Sequence, residues 1–172
     1  MLEEARQFAL AAHGSQRYGD RPYSFHLEAV VQLLSPYGVE AQVIGYLHDV
    51  VEDTEATESD IRERFGALVA DCVSLLTDSP GKSRYERKAK TYARLATVAG
   101  PVELALLVKA ADRLANVRTC ALDDRRGLLD VYRNEHAAFR HAAYRPGLCE
   151  PFWAELDALL ALGSETASAE RV

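Results

Sequence analysis

Two apolar runs in this chain end on groups that a dry interior rejects. The first reads Val43-Ile44-Gly45-Tyr46-Leu47-His48-Asp49-Val50-Val51-Glu52-Asp53, and the second reads Leu104-Ala105-Leu106-Leu107-Val108-Lys109-Ala110-Ala111-Asp112. Runs of this composition belong inside a fold. Burying an ionised carboxylate costs several kcal/mol unless it is paired, hydrogen-bonded or bound to metal. Any structure that accepts this chain must therefore bring something positive to the place where these side chains meet.

The apolar spacing is helical throughout. In residues 2–13, Leu2, Ala5, Phe8, Ala9 and Ala12 fall on one stripe, and Gly14 ends the run. The segment 16–23 is rich in turn formers and reads as a loop, with Pro22 biasing Arg21 away from helix. Further helices are expected over 24–35, 40–53, 57–66, 67–77, 83–98, 102–121, 125–143 and 150–162. Thr57 is the expected N-cap of the 57–66 helix, with acids in its first turn. No alternating strand pattern, internal repeat or linker interrupts this series. The expectation is a single all-α domain over 1–162, with 163–172, small and polar, as a disordered tail.

Composition narrows the function classes. The 172 residues are 48% hydrophobic and 27% charged, ordinary for a globular protein. A net charge of −6 argues against nucleic acid as a partner, because phosphate contacts need a basic face. No run approaches the ~20 apolar residues of a membrane span. Met1-Leu2-Glu3-Glu4 has neither the basic nor the apolar region of a secretory signal. Cys72, Cys120 and Cys149 are far apart and lack a CxxC, which argues against a disulfide framework or a zinc-thiolate site and for the cytoplasm. Positive charge is concentrated in Gly81-Lys82-Ser83-Arg84-Tyr85-Glu86-Arg87-Lys88-Ala89-Lys90. That segment is either a solvated helix face or a rim that binds the phosphates of a small anionic substrate.

Spacing sorts the ionisable residues. On a continuous 40–53 helix, His48 and Glu52 are i,i+4, as are Asp49 and Asp53, so the two pairs form adjacent rows. Asp112 and Asn116 share a row on the late apolar helix. His26 lies in the first turns of the second helix. Two imidazoles and two carboxylates suit a first-row divalent ion such as Mn²⁺, Fe²⁺ or Zn²⁺, and are too rich in nitrogen for a dedicated Ca²⁺ or Mg²⁺ cage. Such an ion acidifies water and creates a nucleophile.

The pattern His26, His48-Asp49, Asp112 resembles that of the HD-domain metal-dependent phosphohydrolases. The flanking sequence makes the resemblance more specific: Gln16-Arg17 ahead of Pro22-Tyr23-Ser24-Phe25-His26, then Leu47-His48-Asp49-Val50-Val51-Glu52-Asp53-Thr54, then Lys109-Ala110-Ala111-Asp112-Arg113-Leu114-Ala115-Asn116-Val117-Arg118-Thr119. Together these are similar to the hydrolase domain of the RelA/SpoT family and its small stand-alone relatives, over about residues 3–120. The resemblance implies a helical bundle of about eight helices that removes the 3′-pyrophosphate of (p)ppGpp, with Mn²⁺. It implies that His26, His48, Asp49 and Asp112 hold the metal. It further implies that Glu52 and Asp53 orient or deprotonate water, and that Arg17, Asn116 and Thr119 contact the nucleotide. Lys82, Arg84, Arg87, Lys88 and Lys109 are candidate phosphate-binding cations.

The chain departs from that pattern at Arg17-Tyr18-Gly19-Asp20, where the family often has Arg-Lys-Ser-Gly. Tyr18 offers a ring to stack on a base in place of a cation. Two other readings follow: a phosphohydrolase for a different nucleotide or phosphomonoester, and a non-catalytic alarmone sensor. His13 is expected to be structural. His136 and His141, five apart, do not share a face for ligation. Tyr132, Phe139, Tyr144, Phe152 and Trp153 are expected to pack the C-terminal helices together.

Overall fold

The computed structural model describes residues 1–161, so the expectations for the 163–172 tail fall outside the described residues. The chain order is α1 (Leu2–His13), β1 (Arg17–Tyr18), β2 (Arg21–Pro22), α2 (Ser24–Leu34), α3 (Val39–Leu47), α4 (Val50–Asp53), α5 (Glu58–Phe65), α6 (Ala67–Leu76), α7 (Arg84–Leu95), α8 (Leu104–Leu122), α9 (Arg126–Ala143) and α10 (Glu150–Ala161). Short 3₁₀ turns at Ser35–Tyr37 and Gly100–Glu103 lead into α3 and α8. The architecture is all-α. It departs from the expectation at two places, and both bear on the site.

The first departure is at His48-Asp49. The expected 40–53 helix stops at Leu47 and restarts at Val50, with Asp49 at φ −106°, ψ −4°. In a regular helix consecutive side chains diverge by about 100°, so His48 and Asp49 could not aim at one point. The break lets them converge. The i,i+4 backbone bond from the Asp53 amide to the Asp49 carbonyl oxygen persists at 2.9 Å across it. The second departure is a hairpin of two-residue strands within the expected loop, pairing Arg17 with Pro22 and Tyr18 with Arg21. Gly19 turns it at φ +65°, with the Arg125 guanidinium where a side chain would stand. Arg21 grips Asp123 through two hydrogen bonds of 2.8 and 2.7 Å, fastening the hairpin to the end of α8.

The centre of the bundle is α8, apolar on nearly every side and correspondingly buried. Helices α2, α3, α9 and α10 pack around it, and α1 lies on α3 through Ala5 and Ala9, both fully buried. Leu27, Leu34, Ile44, Leu47, Leu106, Leu107 and Leu114 fill the shared core. Each such leucine contributes roughly 1.5–3 kcal/mol through removal from water. Gly45 sets the closeness of α2 to α3, since a Cβ there would stand 2.6 Å from Leu34 Cδ1 and 3.3 Å from Val31 Cγ2. That approach brings His26 on α2 within reach of His48 at the end of α3. Thr57 caps α5 in a reciprocal capping box with Asp60. At the far end, Phe139 and Trp153 meet at 5.2 Å and Tyr144 and Trp153 at 5.8 Å, so the aromatic set does pack α9 and α10.

Candidate metal centre and its surroundings

Three elements deliver four donor groups to one point. His26 comes from the first turn of α2, His48 and Asp49 from the break after α3, and Asp112 from the middle of α8. His26 Nε2 lies 3.3 Å from His48 Nε2 and 3.3 Å from Asp112 Oδ1. Asp49 Oδ2 is 2.9 Å from His48 Nε2 and 3.8 Å from His26 Nε2, while Asp112 Oδ1 is 3.7 Å from His48 Nε2. Both imidazoles are buried. His48 Nδ1 lies 2.7 Å from the Gly45 carbonyl oxygen and must donate to it, so in neutral imidazole the lone pair sits on Nε2 and points into the cluster. Acceptors thus converge from every side, as the donor set of a divalent ion does. His26, His48 and Asp49 satisfy the spacing of a metal-holding group, and Asp112 Oδ1 closes the fourth side.

The electrostatics agree. Burial lowers the His48 pKa, but Asp49 and Asp112 outweigh it and raise it to about 10, so the site favours positive charge at Nε2. Burial would raise Asp49 and Asp112, yet the facing imidazoles hold both well below the usual carboxylate range. Lys109 is the internal counter-charge that the sequence called for. Its Nζ donates to the Leu76 carbonyl oxygen at 3.1 Å and lies 3.7 Å from Asp112 Oδ2. Burial would lower its pKa, but Asp112, Asp49, Asp78 and Glu52 together raise it. A single buried ammonium among these acids, with Lys88 against Asp78 at 2.8 Å, leaves the cluster short of positive charge. A divalent ion fits that deficit.

The acidic pair follows one turn after His48 and Asp49. Glu52 and Asp53 are exposed, on the short α4. Glu52 Oε2 accepts from the Asp78 amide at 2.8 Å, and partial desolvation, with Asp78 and Asp49 nearby, moves its pKa upward. Asp53 Oδ2 accepts from Gln16 Nε2 at 3.0 Å. The expected cations scatter. Arg17 is exposed and donates to the Asp20 carbonyl oxygen. Arg84 forms a two-point pair with Glu135 at 2.7 and 3.1 Å, away from the ligands. Lys88 donates to Asp78 at 3.0 Å. Tyr18 and Asn116 are joined to each other: the Tyr18 hydroxyl donates to Asn116 Oδ1 at 2.7 Å. Burial pushes the Tyr18 phenol up to about 12, so it remains protonated.

A model of the HD domain family matches residues 5–148. The chain belongs to the HD domain family. With 36% identity over 122 residues, it is similar to a guanosine-3′,5′-bis(diphosphate) 3′-pyrophosphohydrolase of Aquifex aeolicus, a match covering 69% of this chain and 17% of that protein. The same enzyme of Haemophilus influenzae is 34% identical over 114 residues, covering 63% of this chain and 17% of its own. The chain thus spans about a sixth of the length of the curated relatives it matches. Among solved structures, this HD domain resembles a metazoan orthologue of SpoT that hydrolyses ppGpp, with TM-score 0.72, 26% identity, and coverage of 90% of this chain and 92% of that one. It also resembles lmo0812 of Listeria monocytogenes EGD-e, with TM-score 0.64, 29% identity, and coverage of 78% and 90%.

Contacts that the sequence did not single out complete this HD domain. Asp78, in the turn after α6, links Glu52 to Lys88 and to Thr91. Tyr23 donates its hydroxyl to Asp49 Oδ2, and its ring stacks on His13 at 4.2 Å. Gln16 joins His13 Nδ1, at 2.8 Å, to Asp53. No helix among the described residues is long and apolar enough to cross a membrane.

Proposed function

We propose that residues 1–162 form a divalent-metal-dependent pyrophosphohydrolase that removes the 3′-pyrophosphate of ppGpp or pppGpp in the cytoplasm, with Mn²⁺ as the working ion. The observation that carries this reading is the meeting of His26, His48, Asp49 and Asp112 from three elements, with each imidazole Nε2 2.9 to 3.8 Å from both carboxylates and 3.3 Å from the other imidazole. Its substrate is favoured by likeness to the metazoan orthologue of SpoT, which matches almost end to end. The net charge of −6 favours a small phosphorylated ligand over nucleic acid.

The ion would supply Lewis acidity to water and to the phosphoryl oxygens. The protein's own groups do the rest in this reading. His26, His48, Asp49 and Asp112 present lone pairs in a fixed, largely buried arrangement. Tyr23 restrains Asp49 through Oδ2. Glu52 and Asp53, exposed and held by the Asp78 amide and by Gln16, receive the proton released by attacking water. Lys109 keeps Asp112 ionised. Arg17 and the 82–90 segment offer cations to the phosphates, with Arg84 and Lys88 exchanging their acidic partners for substrate oxygens.

Purified protein with Mn²⁺ should release pyrophosphate from ppGpp, and Asp49→Ala should abolish the release. A metal-loaded protein that leaves ppGpp intact would remove the substrate from this reading while keeping the hydrolase. A second reading, hydrolysis of another phosphorylated nucleotide, is favoured by one observation: Tyr18 and Asn116 are already committed to each other. A screen across phosphorylated nucleotides separates the two. Tight ppGpp binding with no turnover in excess Mn²⁺ would point instead to a sensor.

A further inference from the structure

Tyr18 lies over the metal ligands in a way that its sequence context does not foretell. Its ring stacks on His26 with centroids 4.9 Å apart and planes 16° from parallel. Its hydroxyl donates to Asn116 Oδ1 at 2.7 Å. Asn116 in turn donates through Nδ2 to Asp112 Oδ1 at 2.6 Å and to the Asp112 carbonyl oxygen at 3.0 Å. The oxygen so held is the one that faces both imidazoles. One side chain from the hairpin therefore reaches two of the four donor groups, one by stacking and one through an amide.

We propose that Tyr18 is a positioning residue of the metal centre, fixing the ring plane of His26 directly and the aim of Asp112 Oδ1 through Asn116. The inference rests on the metal reading of the site given above and does not depend on the nucleotide. Asn116 has one orientation that works. With its oxygen engaged by a hydroxyl donor, the amide must present N–H to the Asp112 carboxylate. Flipped, it would set oxygen against oxygen and leave a buried acceptor without a donor. The Asp112 carboxylate, which can only accept, selects the first state, and the Tyr18 hydroxyl then holds the amide there by donating to its oxygen. The hairpin that carries Tyr18 is itself pinned by Arg21 on Asp123, so the ring is not left to a free loop. Outer contacts of this kind typically change metal affinity or activity by about 10- to 100-fold when lost. The same bonds reassign the residue: Tyr18 and Asn116 spend their hydrogen bonds on the protein, not on a base.

The test is metal binding without nucleotide. Wild-type protein, Tyr18→Phe and Tyr18→Ala are stripped with chelator and titrated with Mn²⁺ and with Co²⁺, whose visible absorption reports ligand geometry. Tyr18→Phe keeps the stack and loses the hydroxyl. It should weaken binding about 10-fold, shift the Co²⁺ band, and lower kcat more than it raises KM. Tyr18→Ala loses both contacts and should weaken binding further. In Asn116→Leu, adding Tyr18→Phe should cost no more, because the two act as one chain. Melting temperatures in chelator should stay close to wild type for Tyr18→Phe. Wild-type affinity and an unchanged Co²⁺ band in Tyr18→Phe, with only KM raised, would overturn the proposal and put Tyr18 on the substrate. A wild-type chain that binds metal but spares ppGpp overturns the reaction assigned above, not this inference. Failure of the wild-type chain to bind either ion overturns both.

Discussion

The two faces of α8 handle charge in opposite ways. Toward the C-terminal helices three arginines each meet an acid or a ring. Arg113 lies 3.1 Å from Glu135 and over Tyr132 and Phe139, Arg118 pairs with Glu155 at 2.6 Å, and Arg140 faces Asp157 at 3.3 Å with its guanidinium over Tyr144. Around Asp112 the balance fails: carboxylates and imidazole lone pairs converge, and Lys109 is the buried ammonium among them. Paired charge holds a fold together at small net cost, whereas crowded acceptors short of positive charge spend stability on affinity for something external. The difference marks which region serves structure and which serves chemistry.

Substitutions on the two sides should separate those roles. The largest effect is expected for Asp49→Ala, which should lower pyrophosphate release by roughly 10³-fold or more, about 4 kcal/mol of transition-state stabilisation. In chelator its melting temperature should fall only modestly, as His48 and Tyr23 lose Asp49 as a partner while the repulsion on Asp112 is relieved. A large loss of stability there would erase the contrast. Trp153→Ala should do the reverse, costing about 3–5 kcal/mol by the cavity it leaves while Mn²⁺ affinity per folded molecule is unchanged, as chemical denaturation and metal titration can show.

Between these extremes lies the seam that joins them. Gly45→Ala would drive a methyl into the fully buried Leu34 and should cost about 1–3 kcal/mol by overpacking. Because Gly45 also sets the approach of α2 to α3, the same variant should weaken Mn²⁺ binding, which a surface Gly→Ala change would not. An effect of similar size, but dependent on pH, is expected at Asp78. Burial would raise its pKa, but Lys88, Lys109 and Thr91 leave it below the ordinary carboxylate value. A depressed folded pKa stabilises above the unfolded value and loses that stabilisation as pH falls through the folded one. Asp78→Asn should therefore cost about 1–3 kcal/mol near neutrality, the range of a charge-assisted hydrogen bond, with the gap to wild type closing in acid. A gap that persists unchanged at low pH would contradict this account of Asp78.

Much of this was legible in the chain because helices announce themselves by period and ligands by chemical type. The stripe in 2–13, the Thr57 cap and the apolar run into Asp112 each describe one element by itself. What escaped was tertiary. The stop between Leu47 and Val50 leaves the apolar period nearly undisturbed, yet without it His48 and Asp49 would point apart. The strands Arg17–Tyr18 and Arg21–Pro22 are too short to show alternation. Asp78 follows α6 in a turn with no pattern of its own, and only the packed structure brings its amide to Glu52. Arg84 and Lys88 read as free cations because Glu135 and Asp78 are remote in sequence. Tyr18 read as a substrate contact because nothing local reveals its hydroxyl's partner, Asn116, 98 residues away.

The central claim is that the excess of acceptors around Asp112 is one divalent-ion site. Calorimetric titration of the purified chain with Mn²⁺ tests it most directly. Mn²⁺ should saturate at one ion per chain, with proton release because ligating imidazoles must be neutral, and that binding should be lost in Asp112→Ala. Binding that survives Asp112→Ala undiminished, or no binding to the wild-type chain, would contradict it.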